Sequence, residues 1–232
     1  MRPFDLWSHE IRRAGPGALA APPVLLLAIT LMIVCNGFGA HEGSAAWMLL
    51  VLIEAGAPLV VGIAAASMIG SDRMLELQLT APTSYRSTLL RRLAVTLGWT
   101  GVCTMAGSAL VIATGWWDRL GDAPQGLSAQ LTWLSPALWM AALGLFASAA
   151  LRSGVAATTL LAFLWLAEQM FGAALQENPV TRLISLFATT QKITPEDWLP
   201  NRLTLLATAL LLAAAAWYLL GDTERILGGE KE

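Results

Sequence analysis

Charge is what this chain has least of. Asp, Glu, Lys and Arg make up 13% of its 232 residues and sum to a formal net charge of -2. Its few basic residues are scattered as topology signals and form no continuous patch, which removes a nucleic-acid partner on electrostatic grounds. Histidine is nearly absent: His9 and His41 are the two, and both fall outside the expected membrane spans. Neither a Ser–His pair nor a histidine-based metal cluster then forms at membrane depth, and Ser108, which follows Gly107, has no histidine base beside it. Cysteine is equally sparse. Cys35 and Cys103 lie inside apolar runs without metal or redox spacing, so they read as small apolar residues. The Gly-x-x-x-x-Gly-Lys-Ser/Thr loop that cradles nucleotide phosphates does not occur, so any ATP hydrolysis belongs to another polypeptide.

Apolar residues fill the space that charge leaves. They make up 56% of the chain, with ten Trp and a mean hydropathy of +0.61. Runs long enough to cross a hydrocarbon core of about 30 Å, which takes roughly 20 helical residues, recur along its length. The expected fold class is all-α, a polytopic membrane protein in a single domain over 1–232, with the lipid bilayer as its first partner. Six spans are expected at Ala18–Phe38, Ala46–Gly70, Leu89–Trp116, Leu131–Leu151, Gly154–Leu175 and Arg202–Leu220. The first run is preceded by a polar leader, carries Pro22 and Pro23 and exceeds a signal-peptide core, so cleavage is not expected.

An even number of spans puts both termini on one side. Arg2, Arg12, Arg13, Arg73, Arg86, Arg91, Arg92, Arg152, Arg225 and Lys231 fall on that side, against Arg119, Arg182, Lys192 and Arg202 on the other. By the positive-inside rule the termini are cytoplasmic, as expected for a multi-pass protein of the inner (cytoplasmic) membrane. Within residues 1–17, Phe4, Trp7 and Ile11 share a helical face while Asp5, His9, Glu10, Arg12 and Arg13 point elsewhere. That pattern suits an interfacial helix, ended by Gly15, Pro16 and Gly17.

The charged island Ser71 to Arg92 is the most informative polar segment. Ser71 can cap a short helix with Asp72 in its first turn, along which Met74, Leu75, Leu77 and Leu79 interleave with Arg73, Glu76 and Gln78. Pro82 closes it, and Thr83 or Ser84 caps a second helix that runs through Tyr85, Arg86, Leu89, Leu90, Arg91 and Arg92 into the third span. Leu75, Leu77 and Leu79 cannot all lie on one face of one short helix. Two readings cover them: they pack on the protein's own cytosolic span ends, or they form a knob for a cleft on a soluble motor subunit.

The run Leu75-Glu76-Leu77-Gln78-Leu79-Thr80-Ala81-Pro82, followed by Tyr85-Arg86 and a basic entry into span three, resembles the cytoplasmic segment after the second span of ABC exporter permeases of the type-2 membrane family. Asn201-Arg202-Leu203 opening the last span, and Trp217-Tyr218-Leu219-Leu220 closing it, look similar to the same permeases. The family's Gly-Thr lead-in is only partly present, as Ser71-Asp72-Arg73-Met74. The resemblance implies a permease subunit that dimerises with a second copy or a related permease and docks an ATP-binding cassette subunit through residues 71–88. Arg73, Leu75, Glu76, Leu77, Leu79, Pro82 and Tyr85 would form the docking surface. No cofactor is expected in this chain; ATP and Mg would sit on the partner, and substrate would move outward. An alternative within transport is a subunit similar to the haem-exporter B protein of cytochrome maturation, although its Asp-Gly-Ser-Leu-Glu run is not reproduced.

Two carboxylates, Glu54 and Glu168, lie inside expected spans. Each costs about 2.5–3.5 kcal/mol at a helix centre, so both should face protein or water, as pathway or dimer-interface residues or in an internal structural hydrogen bond. Gly56 and Pro58 can open the helix ladder beside Glu54, and Glu168 stands nearer the outer end, where snorkelling is cheaper. A membrane enzyme using Glu54 and Glu168 as an acid pair is the alternative from another class. The connection 176–201 is too long for a bare turn: Asn178-Pro179 starts a helix, Leu183, Ile184, Leu186 and Phe187 form an apolar face, and Thr194-Pro195-Glu196-Asp197 starts a short turn. It reads as an outer re-entrant or interfacial segment. Trp47, Trp116, Trp117, Trp133 and Trp198 read as an aromatic belt. Ala64, Ala65, Ala66 with Ser67, and Gly98 with Gly101, would permit close helix contact.

Overall fold

In hydrocarbon every backbone N–H must find its acceptor within the segment, so long apolar runs have the helix as their stable form. The computed structural model of the chain describes residues 16–35, 42–70, 85–113, 115 and 126–221, and all elements among them are helical. In order these are α1 (Pro16–Cys35), α2 (Glu42–Val51), a π turn (Leu52–Gly56), α3 (Ala57–Gly70), α4 (Tyr85–Ala113), a 3-10 turn (Gly126–Gln130), α5 (Leu131–Leu151), α6 (Gly154–Glu177), α7 (Pro179–Ile184) and α8 (Pro195–Leu219). The leader residues Phe4, Trp7 and Ile11, and the docking residues Arg73, Leu75, Glu76, Leu77, Leu79 and Pro82, lie outside the described residues. So do Trp116 and Trp117; Tyr85 opens α4.

Among the described residues, five stretches are long and apolar enough to cross a membrane: Ala45–Ile69, Arg86–Leu110, Ser128–Leu151, Gly154–Glu177 and Pro195–Leu219. The helix at the first expected span is apolar over a shorter stretch than these five among the described residues. Its apolar part, Gly17–Met32, rises about 24 Å at about 1.5 Å per residue. Expected and observed edges agree for α5 and differ elsewhere by a few residues, most at the last span. Pro195 opens α8 itself, so the short turn expected at Thr194–Asp197 is the first turn of a helix that begins seven residues before Arg202.

The core is built around α5, which packs mainly on α3 and α8. Its contact with α3 is set by glycines. A Cβ placed on Gly144 would lie 2.6 Å from the carbonyl oxygen of Gly62, and one on Gly62 would lie 3.1 Å from Cβ of Met140. The two backbones therefore approach as closely as small residues allow, with Ala65, Ala66 and Ala141 buried around them. Of the small residues singled out in the sequence, Ala64, Ala65 and Ala66 are buried, and Gly101 faces the Trp133 ring. Gly98 faces open space, with no atom within 4 Å of an added Cβ.

Short connections and side-chain donors fix the remaining helices. Arg152 takes a left-handed φ of 54° and ends α5, and the Ser153 side chain accepts from the Ala156 amide at 3.2 Å to start α6. This tight link makes α5 and α6 antiparallel neighbours. In α1, Pro23 has no N–H to give to the Leu19 carbonyl, and the Trp99 indole donates to that oxygen at 2.7 Å instead. α6 and α8 are peripheral. They expose Val155, Phe163 and Met170, and Leu210, Leu211 and Tyr218, as helices with an outward face in lipid do.

Candidate functional site

Three structural elements each send one charged side chain to the connection between α6 and α8. At the π turn the ladder widens so that the Ala57 N–H reaches the Leu52 carbonyl, and Pro58 supplies no N–H to the turn behind it. Glu54 lies in this turn and is fully buried. The adjoining Ala55 carbonyl accepts from the Trp165 indole of α6 at 3.0 Å, which ties the π turn to that helix.

Glu54 binds backbone. Its Oε1 accepts from the Thr189 amide at 2.8 Å and its Oε2 from the Thr190 amide at 2.6 Å. Arg202, one turn after Trp198 in α8, pairs with Glu54 through Nη2 and is itself fully buried. Its Nη1 donates to the Leu186 carbonyl at 3.0 Å, and Nη2 also reaches the Thr189 hydroxyl at 3.1 Å. The guanidinium lies 5.5 Å from the centroid of the Trp198 ring, whose indole donates to the same hydroxyl at 3.0 Å. Glu168, from α6, accepts from the Leu186 amide at 2.9 Å through Oε2 and at 3.2 Å through Oε1.

The loop these groups hold is folded into the protein. Ser185, Leu186, Phe187 and Ala188 are buried, and Phe187 meets Trp165 edge to face with ring centroids 6.1 Å apart. Its turn closes on its own backbone, Gln191 N–H to Phe187 at 2.9 Å and Ile193 N–H to Ala188 at 2.9 Å. The Gln191 side chain donates to the Glu168 carbonyl at 3.2 Å, and Gly172 makes room for it, since a Cβ there would lie 2.1 Å from the Gln191 amide nitrogen. Asn201 donates to the carbonyls of Arg182 and Ser185 at 2.8 and 2.9 Å. At the rim, Arg182 and Asp197 form a more exposed ion pair at 2.8 Å.

Glu54 and Glu168 thus converge on one loop. Four residues take on a different role here from the one the sequence suggests. Arg202, counted as a topology charge, is the buried counter-ion of Glu54, because an ionised carboxylate in a low-dielectric interior needs one. Trp198, assigned to the aromatic belt, is 8% exposed and stacks on that arginine. Trp133 is likewise 8% exposed, its indole donating to Gln130 at 2.9 Å. Glu168 does not snorkel; it is 9% exposed and bound to a loop amide.

The connection 176–201 contains the expected helix start, with Asn178 accepting from the Val180 amide at 2.9 Å ahead of α7. Leu186 and Phe187 are buried, while Ile184 stays exposed. Asn201, Thr189 and Thr190 were not singled out for this role. The available signal was the demand of a buried Glu54 for a cation, which Arg202 at the head of an apolar run could meet.

Chemically, the arrangement is a clamp: two carboxylates and a guanidinium bind amides and a carbonyl of one loop. Both Glu54 oxygens are engaged by donors, which leaves little room for an acid–base role there. Among the described residues no group of three or more His, Cys, Asp or Glu gathers as a metal site, and Cys35 and Cys103 are free thiols. Comparison with known proteins returns no matching family model, no matching curated protein and no matching solved structure.

Proposed function

We propose that this chain is the membrane-embedded permease subunit of an ATP-driven exporter of the ABC type-2 kind, working as a dimer with a separate ATP-binding cassette subunit that carries ATP and Mg. The observation that carries this reading is the buried clamp. Ionisable groups inside apolar helices are costly, and here they are spent on holding the loop between α6 and α8 against three elements. A device of that kind serves a path that opens and closes. In this reading α1 is the sixth span, both termini are cytoplasmic, and the clamped loop lies at the outer side of the inner membrane.

The mechanical connection runs through α3. Its last residue, Gly70, adjoins the Ser71–Arg92 island, and its first, Ala57, adjoins the π turn that carries Glu54. At about 1.5 Å per residue, α3 covers about 21 Å between them. A motor engaging Leu75, Glu76 and Leu77 would push on α3 and α4, and α3 would deliver that displacement to the clamp. Alternating access then amounts to shifting the loop against α6 and α8 while the Glu54–Arg202 pair holds or parts. Glu76→Lys or Leu77→Asp should leave the protein inserted and its motor no longer stimulated. ATPase rates of the reconstituted complex, measured beside the unaltered chain, test this. Stimulation unchanged in both variants would remove the docking assignment.

A further inference from the structure

A groove of about 390 Å³ runs between α4, α5 and α8, within the roughly 300–1,000 Å³ of small-ligand sites. Its walls are apolar, with Leu93, Leu145, Leu206 and Ala213 among them, and one end carries Arg86 and Trp217. That end lies at the start of α4 and the finish of α8, opposite the Arg202 clamp at the start of α8. From Leu206 to Trp217 the α8 axis rises about 16 Å, close to the roughly 15 Å depth of one hydrocarbon leaflet. The groove therefore has the polarity profile of half a bilayer: a cation and an aromatic ring at one end, aliphatic side chains along the rest.

Arg86 is set in place to receive an anion. Its guanidinium lies 5.1 Å from the Trp217 ring centroid, and it rests against Gly221, where a Cβ would fall 1.7 Å from one of its nitrogens. The Trp217 ring and Gly221 thus hold the guanidinium in place at the end of the groove. Among the described residues Arg86 meets no carboxylate, and its donor fork matches the oxygens of a phosphate. We propose that this groove binds an anionic phospholipid of the bilayer, its phosphate on Arg86 and one acyl chain along α8. Arg86, the one cation among the described residues that line this otherwise apolar groove, selects such a lipid over a zwitterionic one. This inference stands apart from the exporter reading and survives its failure.

Native mass spectrometry of the full-length protein in detergent, titrated separately with dioleoyl phosphatidylglycerol and dioleoyl phosphatidylcholine, tests it. The expected result is about a fivefold preference for the anionic lipid, the scale set by one arginine near an anionic headgroup. Arg86→Gln should abolish the preference. Ala213→Phe, placed on an exposed groove wall and outside the buried core, should lower binding of both lipids. A preference that persists in Arg86→Gln, or phosphatidylglycerol binding unchanged by Ala213→Phe, would overturn the proposal. So would a preference that emerges only when Asp222→Asn and Glu224→Gln are combined, since the acidic tail would then be the natural occupant of Arg86.

Discussion

Arg202 and Glu54 are worth more as partners than either is alone. Taking one partner from a buried ion pair leaves an uncompensated charge and costs about 3–5 kcal/mol. Glu54→Gln and Arg202→Met should therefore each lower stability by about that much, whereas the double variant should lose clearly less than the sum of the two. Thermal unfolding of the detergent-solubilised protein provides the check; additive losses would mean that the two side chains act independently. Glu168 carries a lighter role, binding a single amide that a Gln carbonyl can also bind. Glu168→Gln should cost no more than about 1.5 kcal/mol by the same measurement. At this scale the sequence reveals which carboxylates matter but not what they bind. Glu54 and Glu168 stand out because charge in an apolar run is costly, yet their partners are mostly backbone amides of residues 186–190, and backbone donors leave no mark in residue identity. Arg202 was visible and misassigned, because a basic residue near a span end also fits the ordinary pattern of topology signals.

The helices themselves follow from composition, and their placement follows from their smallest residues. Gly144 has the Gly62 carbonyl against it, so Gly144→Leu should separate α3 from α5 and lower the melting temperature by several degrees, while Gly98→Leu, facing open space, should leave it near that of the unaltered chain. Equal melting temperatures for the two variants would contradict the α3–α5 packing. The element edges were legible wherever a cap or proline marks them, as at Ser153 for α6 and Asn178-Pro179 for α7. The glycines that set the α3–α5 approach were not. Gly62 and Gly144 lie in helices where apolar residues occur on all sides, and no periodicity identifies the face that turns inward. The π turn was half legible, since Gly56 and Pro58 announce a disturbed ladder without giving its i to i−5 form.

At the scale of the whole molecule, α3 leads from the π turn that carries Glu54 to the Ser71–Arg92 island. Two classes of lesion therefore separate. On the proposed exporter reading, Leu77→Asp should release the ATPase subunit while the clamp stays intact, whereas Glu54→Gln should impair transport more than that association. The membrane class was legible from composition alone, because a chain with 13% charged residues and 56% apolar ones has lipid as its solvent. The proposed partner rests on the order of short leucine-rich motifs, most of which lie outside the described residues.

Affinity purification of the full-length protein from its native membranes in mild detergent, with crosslinking and mass spectrometry of what co-purifies, addresses the central claim most directly. A stoichiometric ATP-binding cassette subunit that is lost from the Leu77→Asp variant is the predicted result. Purification of the intact, crosslinked protein with no ATPase subunit attached would contradict it.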